Sequence, residues 1–222
     1  MAAFFCFVFF LNISLTTQQC ADYRCRTVSI PLYLKVLDFF DRHYNYKQLT
    51  KTIAKDVKDK ETRAIKILEW TQANIKRNPR DLPVIDDHVW HIIIRGYGVD
   101  DQFQDVFSAL CNYSGMEALF ITLNAKDSAV KKPLSFVKLK NGWSIFDAYN
   151  GVYFQNKTGK IASIKDIISG DWQALSICAE QIQDYGIYFQ NLSSLDIEKN
   201  KLTRSSIQSP FKRFLFWRIH NK

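Results

Sequence analysis

An α+β fold is predicted by the order in which hydrophobic periodicity changes along the chain. Apolar residues recur every three or four positions as far as Gly115, the spacing then becomes extended, and Asn141-Gly142 supplies a hairpin turn between two extended runs. Helices followed by one central helix feeding an antiparallel sheet make an α+β chain, not the strand–helix alternation that builds a parallel sheet. The 222 residues are 47% hydrophobic and 23% charged, the profile of a compact domain with a sizeable core.

The first element is a leader. Residues 1–21 carry no charged side chain, and residues 2–15 form an almost unbroken apolar stretch. That length suits the core of a signal peptide and falls short of the roughly 18 to 20 residues of a straight membrane span. Residues 1–21 are therefore assigned as a signal peptide or membrane anchor, with a buried strand or helix as the alternative.

Residues 22–58 read as a linker and an N-terminal helical extension. Leu34, Leu37, Phe40 and Tyr44 recur at helical spacing over 32–46, and a second helical run covers 49–57. A domain follows over residues 59–198. Its first helix spans 59–76: Ala64, Ile65, Leu68, Thr71, Gln72 and Ile75 share a face, Asp59 offers an N-cap, and Asn78-Pro79 ends the run. Residues 86–98 combine the β-branched Ile92, Ile93 and Ile94 with two glycines and should end in a turn. A helix starts at Asp100, with Phe103, Val106, Phe107, Leu110 and Cys111 as its apolar stripe and Gly115 closing it. Strands are expected over 118–123, 134–139, 143–146 and 152–155, then a short helix over 161–168.

Charge is unevenly distributed. The net +8 raises nucleic acid or an anionic membrane as partners. Residues 199–222 hold seven basic residues and no acid, so the rest of the chain nets only +1. This excludes a uniformly basic nucleic-acid module. Phe211, Phe214, Phe216 and Trp217 alternate with Lys212, Arg213 and Arg218. Such a tail either packs its aromatics on the body or lies along a membrane surface; nucleic acid is the least favoured partner.

Five cysteines lie at 6, 20, 25, 111 and 178, with no C-x-x-C pair, so no zinc site and no cofactor is expected. In an exported chain Cys20 and Cys25 could pair with each other or with a body cysteine. Asp86, Asp87, His88 and His91 form the richest polar cluster, but a metal site would need a third well-placed ligand, and Arg95 is a ready partner for the aspartates.

A set of residues in order resembles a known family: Trp70 and Asn74-Ile75, Arg95-Gly96-Tyr97-Gly98, Val99-Asp100-Asp101-Gln102, Asp105-Val106-Phe107, Tyr113-Ser114-Gly115, Ser135-Phe136-Val137, Asn141-Gly142-Trp143 and Asp147. Together they are similar to the transglutaminase-like superfamily, a branch of the papain-like cysteine enzymes also found in bacterial exported proteins. The resemblance covers about residues 60 to 155. It implies a papain-like core with a Cys at the start of the central helix, a His opening a His-Ala-Trp-Val type motif on the next strand, and an Asp after the Trp of the following strand.

Carried onto this chain, the Cys position falls on Asp100, the His position on Leu134 and the Asp position on Asp147. Two of the three catalytic types are replaced. Beyond residue 91 the only histidine is His220, and Cys111 lies well inside the helix, away from the amides that lower a thiol's pKa. Without a thiolate and a base, acyl transfer by this route has no mechanism.

The expected function is thus a catalytically inactive, envelope-associated binding or scaffold domain. Its groove would lie around Asp100, Leu134 and Asp147, with Asp101, Gln102, His88 and Trp143 lining it, and its partner would be a peptide, an envelope polymer or an envelope protein. The competing class is a hydrolase or acyl-transfer enzyme with a displaced site, using Asp100 and Asp147 as acid and base or the cluster from Asp86 to His91. The plain alternative for Asp100 and Asp101 is capping of the helix's first amides.

Overall fold

The structure is a computed structural model and describes residues 9–10, 12–21, 24–126, 128–178 and 182–197, with backbone alone for 18–21 and 24. Most of the apolar leader, Cys6 and the basic tail lie outside the described residues.

The expected end of the leader, Ala21, is the last residue of a strand. Strand β1 (Ser14–Ala21) pairs antiparallel with β2 (Arg24–Pro31), placing Cys20 opposite Cys25. A linker was expected over part of this segment. The difference follows from composition: Thr16, Thr17, Thr27, Val28 and Ile30 are β-branched residues that suit a two-stranded ribbon. Cys25 is disulfide-bonded, and neither Cys111 nor Cys178 is its partner, because both are free.

The two helical runs expected before residue 58 merge into one helix, α1 (Leu32–Ile53). No Gly or Pro separates them, so propagation is cheaper than a second nucleation. Its C-terminal half is fixed to the body by Tyr46, which stacks on Tyr113 and meets Trp90 edge-on. Helix α2 (Lys60–Asn74) starts as expected: the Asp59 carboxylate accepts from the Thr62 backbone N–H at 2.9 Å. Ala64, Ile67, Leu68 and Thr71 are its buried face.

The isoleucine run is helical. Helix α3 (Val89–Arg95) buries Val89 and Ile92 three residues apart and closes on Gly96, whose φ of 71° is the left-handed conformation a helix end favours. Strands β3 (Lys76–Arg77) and β4 (Tyr97–Gly98) then pair in parallel and tie the end of α2 to the segment before the central helix.

Helix α4 (Asp100–Tyr113) is that central helix. It touches α1, α2, α3 and two strands of the main sheet, β5 (Ala118–Asn124) and β6 (Lys131–Leu139). Every residue from Gln102 to Cys111 is buried. Burying Phe103, Phe107 and Leu110 contributes on the order of 1.5–3 kcal/mol each, which holds the helix start in place.

The five-stranded antiparallel sheet runs in sequence order, adding β7 (Gly142–Asp147), β8 (Val152–Gln155) and β9 (Gln173–Ser176). Gly142 at φ 120° makes the expected turn between β6 and β7. Strand alternation divides β6 between two cores. Val137 and Leu139 join the core around α4, with Ser135 bonded to α4, whereas Leu134 and Phe136 join a second core with Ile145, Phe154, Tyr185 and Phe189. The second core is covered by α5 (Ile164–Ile168), α6 (Gly186–Phe189) and a 3₁₀ turn (Leu192–Ser194). Cys111 sits in the first core, where burial pushes its thiol pKa well up.

Candidate functional site

Two carboxylates from opposite sides of the fold converge at the start of α4. Asp100 is the helix's first residue, after the N-cap Val99, and Asp147 ends β7. The side chain between them is Lys132, at the start of β6. Its Nζ lies 3.5 Å from Asp100 Oδ2 and 3.2 Å from Asp147 Oδ2. Lys132 and Asp147 are buried, Asp100 is partly open to solvent, and the Tyr149 ring stands 5.7 Å from the ammonium.

Asp147 is saturated. Its Oδ1 accepts from Gln104 Nε2 at 3.2 Å and from the backbone N–H of Tyr149 and Asn150 at 3.0 and 3.1 Å. Its Oδ2 accepts from Asn150 Nδ2 at 2.8 Å and from the Tyr185 hydroxyl at 2.7 Å, besides Lys132. Burial raises the Tyr185 pKa, and the adjacent Asp147 charge adds to the rise, so the phenol stays a donor. Gln104 is itself fully used: its Oε1 accepts from Ser135 Oγ at 2.8 Å and from Ala148 N–H at 3.1 Å.

Asp100 is less well served. Its Oδ1 is buried with no hydrogen-bond partner. Burial lifts its pKa to about 6, Lys132 pulls it back down and Asp147 pushes it up. Burial raises the Asp101 pKa, opposed by the backbone N–H groups at the helix start, and Gln102 Oε1 accepts from Val99 N–H at 3.2 Å.

The cluster from Asp86 to His91 forms a knot under the same helix end. Arg95 donates from Nη1 to the Asp86 carbonyl at 2.9 Å and from Nη2 to Gln102 Oε1 at 2.8 Å, while Gln102 Nε2 donates to Asp87 Oδ1 at 2.9 Å. His91 Nδ1 is 3.2 Å from the Asp86 carboxylate, His88 bonds Arg42, and the two imidazoles lie 4.6 Å apart. Among the described residues no group of three or more His, Cys, Asp or Glu side chains is placed to hold a metal. Trp143 packs against the second core and carries Lys138 over its ring.

A family model described as the transglutaminase-like superfamily matches residues 47–158, half of the chain. The chain belongs to the transglutaminase-like superfamily. No curated protein matches it. Among solved structures, a candidate protease from Parabacteroides distasonis is similar at 11% identity and a TM-score of 0.40, over 60% of this chain and 35% of that one. The chain thus spans about a third of that relative's length.

Of the three triad positions assigned within the transglutaminase-like core, the structure brings Asp100 and Asp147 to one ammonium. Leu134 is buried in the second core with Phe136 and Ile145. The side chain that faces both carboxylates is Lys132, two residues earlier. Sequence reasoning missed it because Lys131-Lys132-Pro133 looks like a solvated approach to a strand. It also missed Gln104, hidden within the apolar stripe of α4, and Tyr185, which arrives from 38 residues beyond Asp147. The one available signal was the residue chemistry itself: a carboxylate at Asp147 with no histidine to orient needs a cation or donors from elsewhere.

Proposed function

We propose that this transglutaminase-like domain is non-catalytic and serves as a binding or scaffold surface in the cell envelope. The observation that carries the reading is the Lys132 bridge. Where the family resemblance calls for a nucleophile, a base and an orienting carboxylate, this chain has an ammonium neutralising two carboxylates. A carboxylate at Asp100 cannot form the thioester of a cysteine enzyme, and Lys132 Nζ is held between the two carboxylates. The Asp147 carboxylate has donors on both oxygens and no exposed surface, so it serves to fix the turn at Tyr149 and Asn150.

The competing hydrolase has one feature in its favour, the raised pKa of Asp100. General acid–base work needs a second carboxyl that can reach substrate or water, and Asp147 is enclosed. The cluster from Asp86 to His91 is spent on Arg95, Gln102 and Arg42. Export is supported by the disulfide at Cys25, a bond that persists in oxidising compartments, together with the apolar leader. A peptide, an envelope polymer or an envelope protein is then the class of partner, met at the partly open rim formed by Asp100 and Asp101.

The test is incorporation of a fluorescent primary amine into a glutamine-rich acceptor protein by the full chain. No incorporation above a protein-free control is expected, with or without reductant. Incorporation that disappears on Asp100→Asn substitution would overturn the reading.

A further inference from the structure

Large apolar side chains are exposed at one place far more than elsewhere. Of the sixteen exposed among the described residues, nine lie between Phe9 and Tyr44. Leu37, Phe40 and Tyr44 are 61%, 55% and 65% exposed, and with Tyr33 they follow the spacing of one helical face along the N-terminal half of α1. Ile13, itself exposed, is tied to the start of that helix by the Leu32 N–H bond to its carbonyl at 2.8 Å, and the exposed Phe9 and Phe10 precede it by four and three residues. The body of the protein grips α1 from Arg42 onward, through Arg42 on His88, His43 on Tyr113, and Tyr46 on Tyr113 and Trp90.

We infer that this face, the N-terminal half of α1 together with Phe9, Phe10 and Ile13, docks on an anionic lipid bilayer. A contiguous apolar stripe on a helix needs a cover. Three observations select lipid over a second copy of the chain. Phe9, Phe10 and Ile13 belong to the apolar sequence run of residues 2–15, which is suited to a membrane. Lys47 and Lys51 are exposed and continue the helical spacing three and seven residues beyond Tyr44, and residues 24–53 as a whole carry six basic side chains against Asp38 and Asp41, a positive charge that anionic headgroups complement. The seven basic residues of 199–222 add to the same attraction. No helix among the described residues is long and apolar enough to cross a membrane, so the contact lies in the plane of the surface. The inference is independent of whether the site at Asp100 turns over.

The experiment is co-sedimentation of the full chain with phosphatidylcholine vesicles, with and without phosphatidylglycerol. Binding is expected with phosphatidylglycerol and should weaken with added salt. Leu37→Glu with Phe40→Glu should reduce it by about tenfold or more at an unchanged melting temperature. If that pair perturbs folding, Leu37→Ser with Phe40→Ser replaces it. Unreduced binding by the variant would assign the contact to the leader or tail alone and overturn the inference. So would no binding to anionic vesicles, or a dimer in sedimentation velocity that the same substitutions dissolve.

Discussion

The ammonium of Lys132 lies 3.2 Å from the carboxylate of Asp147, and both side chains are buried. Asp100 completes the bridge from the start of α4 at 3.5 Å. This contact joins the sheet to the central helix at the point where the family resemblance places its chemistry, and it forms a three-membered ion network there. A charge in such a position is costly unless paired, so each member constrains the others.

Removing the cation should expose that dependence. Lys132→Met leaves two carboxylates facing each other without their shared partner and is expected to destabilise the fold by about 3 kcal/mol or more. Urea melts at pH 7.5 measure it. Adding Asp100→Asn to Lys132→Met should recover part of the loss, since one of the two opposed charges is then gone.

Asp100 alone predicts a pH dependence of unusual sign. Its carboxyl is raised from 3.8 to about 6 in the fold, so between those values the native state holds a proton that the unfolded chain has released. Stability from this group therefore falls as pH rises from about 4 to about 6 and stays flat above. Asp100→Asn should match the wild type near pH 4 and exceed it at pH 7.5. The full shift corresponds to about 3 kcal/mol, and partial exposure of the side chain reduces the expected gain to about 1 kcal/mol. Thermal melts across pH 4–8 would show the two curves converging at the acid end.

Gln104 tests how the network is held. Gln104→Leu removes one donor from Asp147 and the acceptor shared by Ser135 Oγ and Ala148 N–H, all of them buried. A loss of about 2–3 kcal/mol is expected, because unsatisfied buried groups carry their full desolvation cost. The measurement is chemical denaturation beside Gln104→Glu, which should be worse, as it sets a new carboxylate against Asp147.

Gly98 tests the approach to α4. A Cβ there would stand 3.0 Å from Gln102 Oε1 and 3.2 Å from Gln102 Cβ. Gly98→Ala should displace Gln102 and unpick its bonds to Arg95, Val99 and Asp87, costing about 1–3 kcal/mol by melting temperature.

How far the sequence foretold this architecture depends on how local each determinant is. Helices α2 and α4 were legible because caps and apolar stripes are written within one segment, as with Asp59 and with Phe103, Val106, Phe107 and Leu110. The turn at Gly142 was legible for the same reason. The helicity of Ile92–Ile94 was not, since β-branched residues favour strands and the helix rests on packing of Val89 and Ile92. The site was half legible. Asp100 and Asp147 were found from motif order, but Lys132 and Tyr185 are brought in by strand register and by a distant segment, which no local pattern records.

The central claim, that the Lys132 bridge replaces catalysis, is tested most directly by the one chemistry the site could still attempt, acid–base hydrolysis. Peptide and ester hydrolysis by the full chain is measured from pH 5 to 9, with Asp100→Asn alongside. Rates equal to buffer are expected for both proteins at every pH. A pH-dependent rate near the Asp100 transition at about 6, present in the wild type and lost in Asp100→Asn, would contradict it.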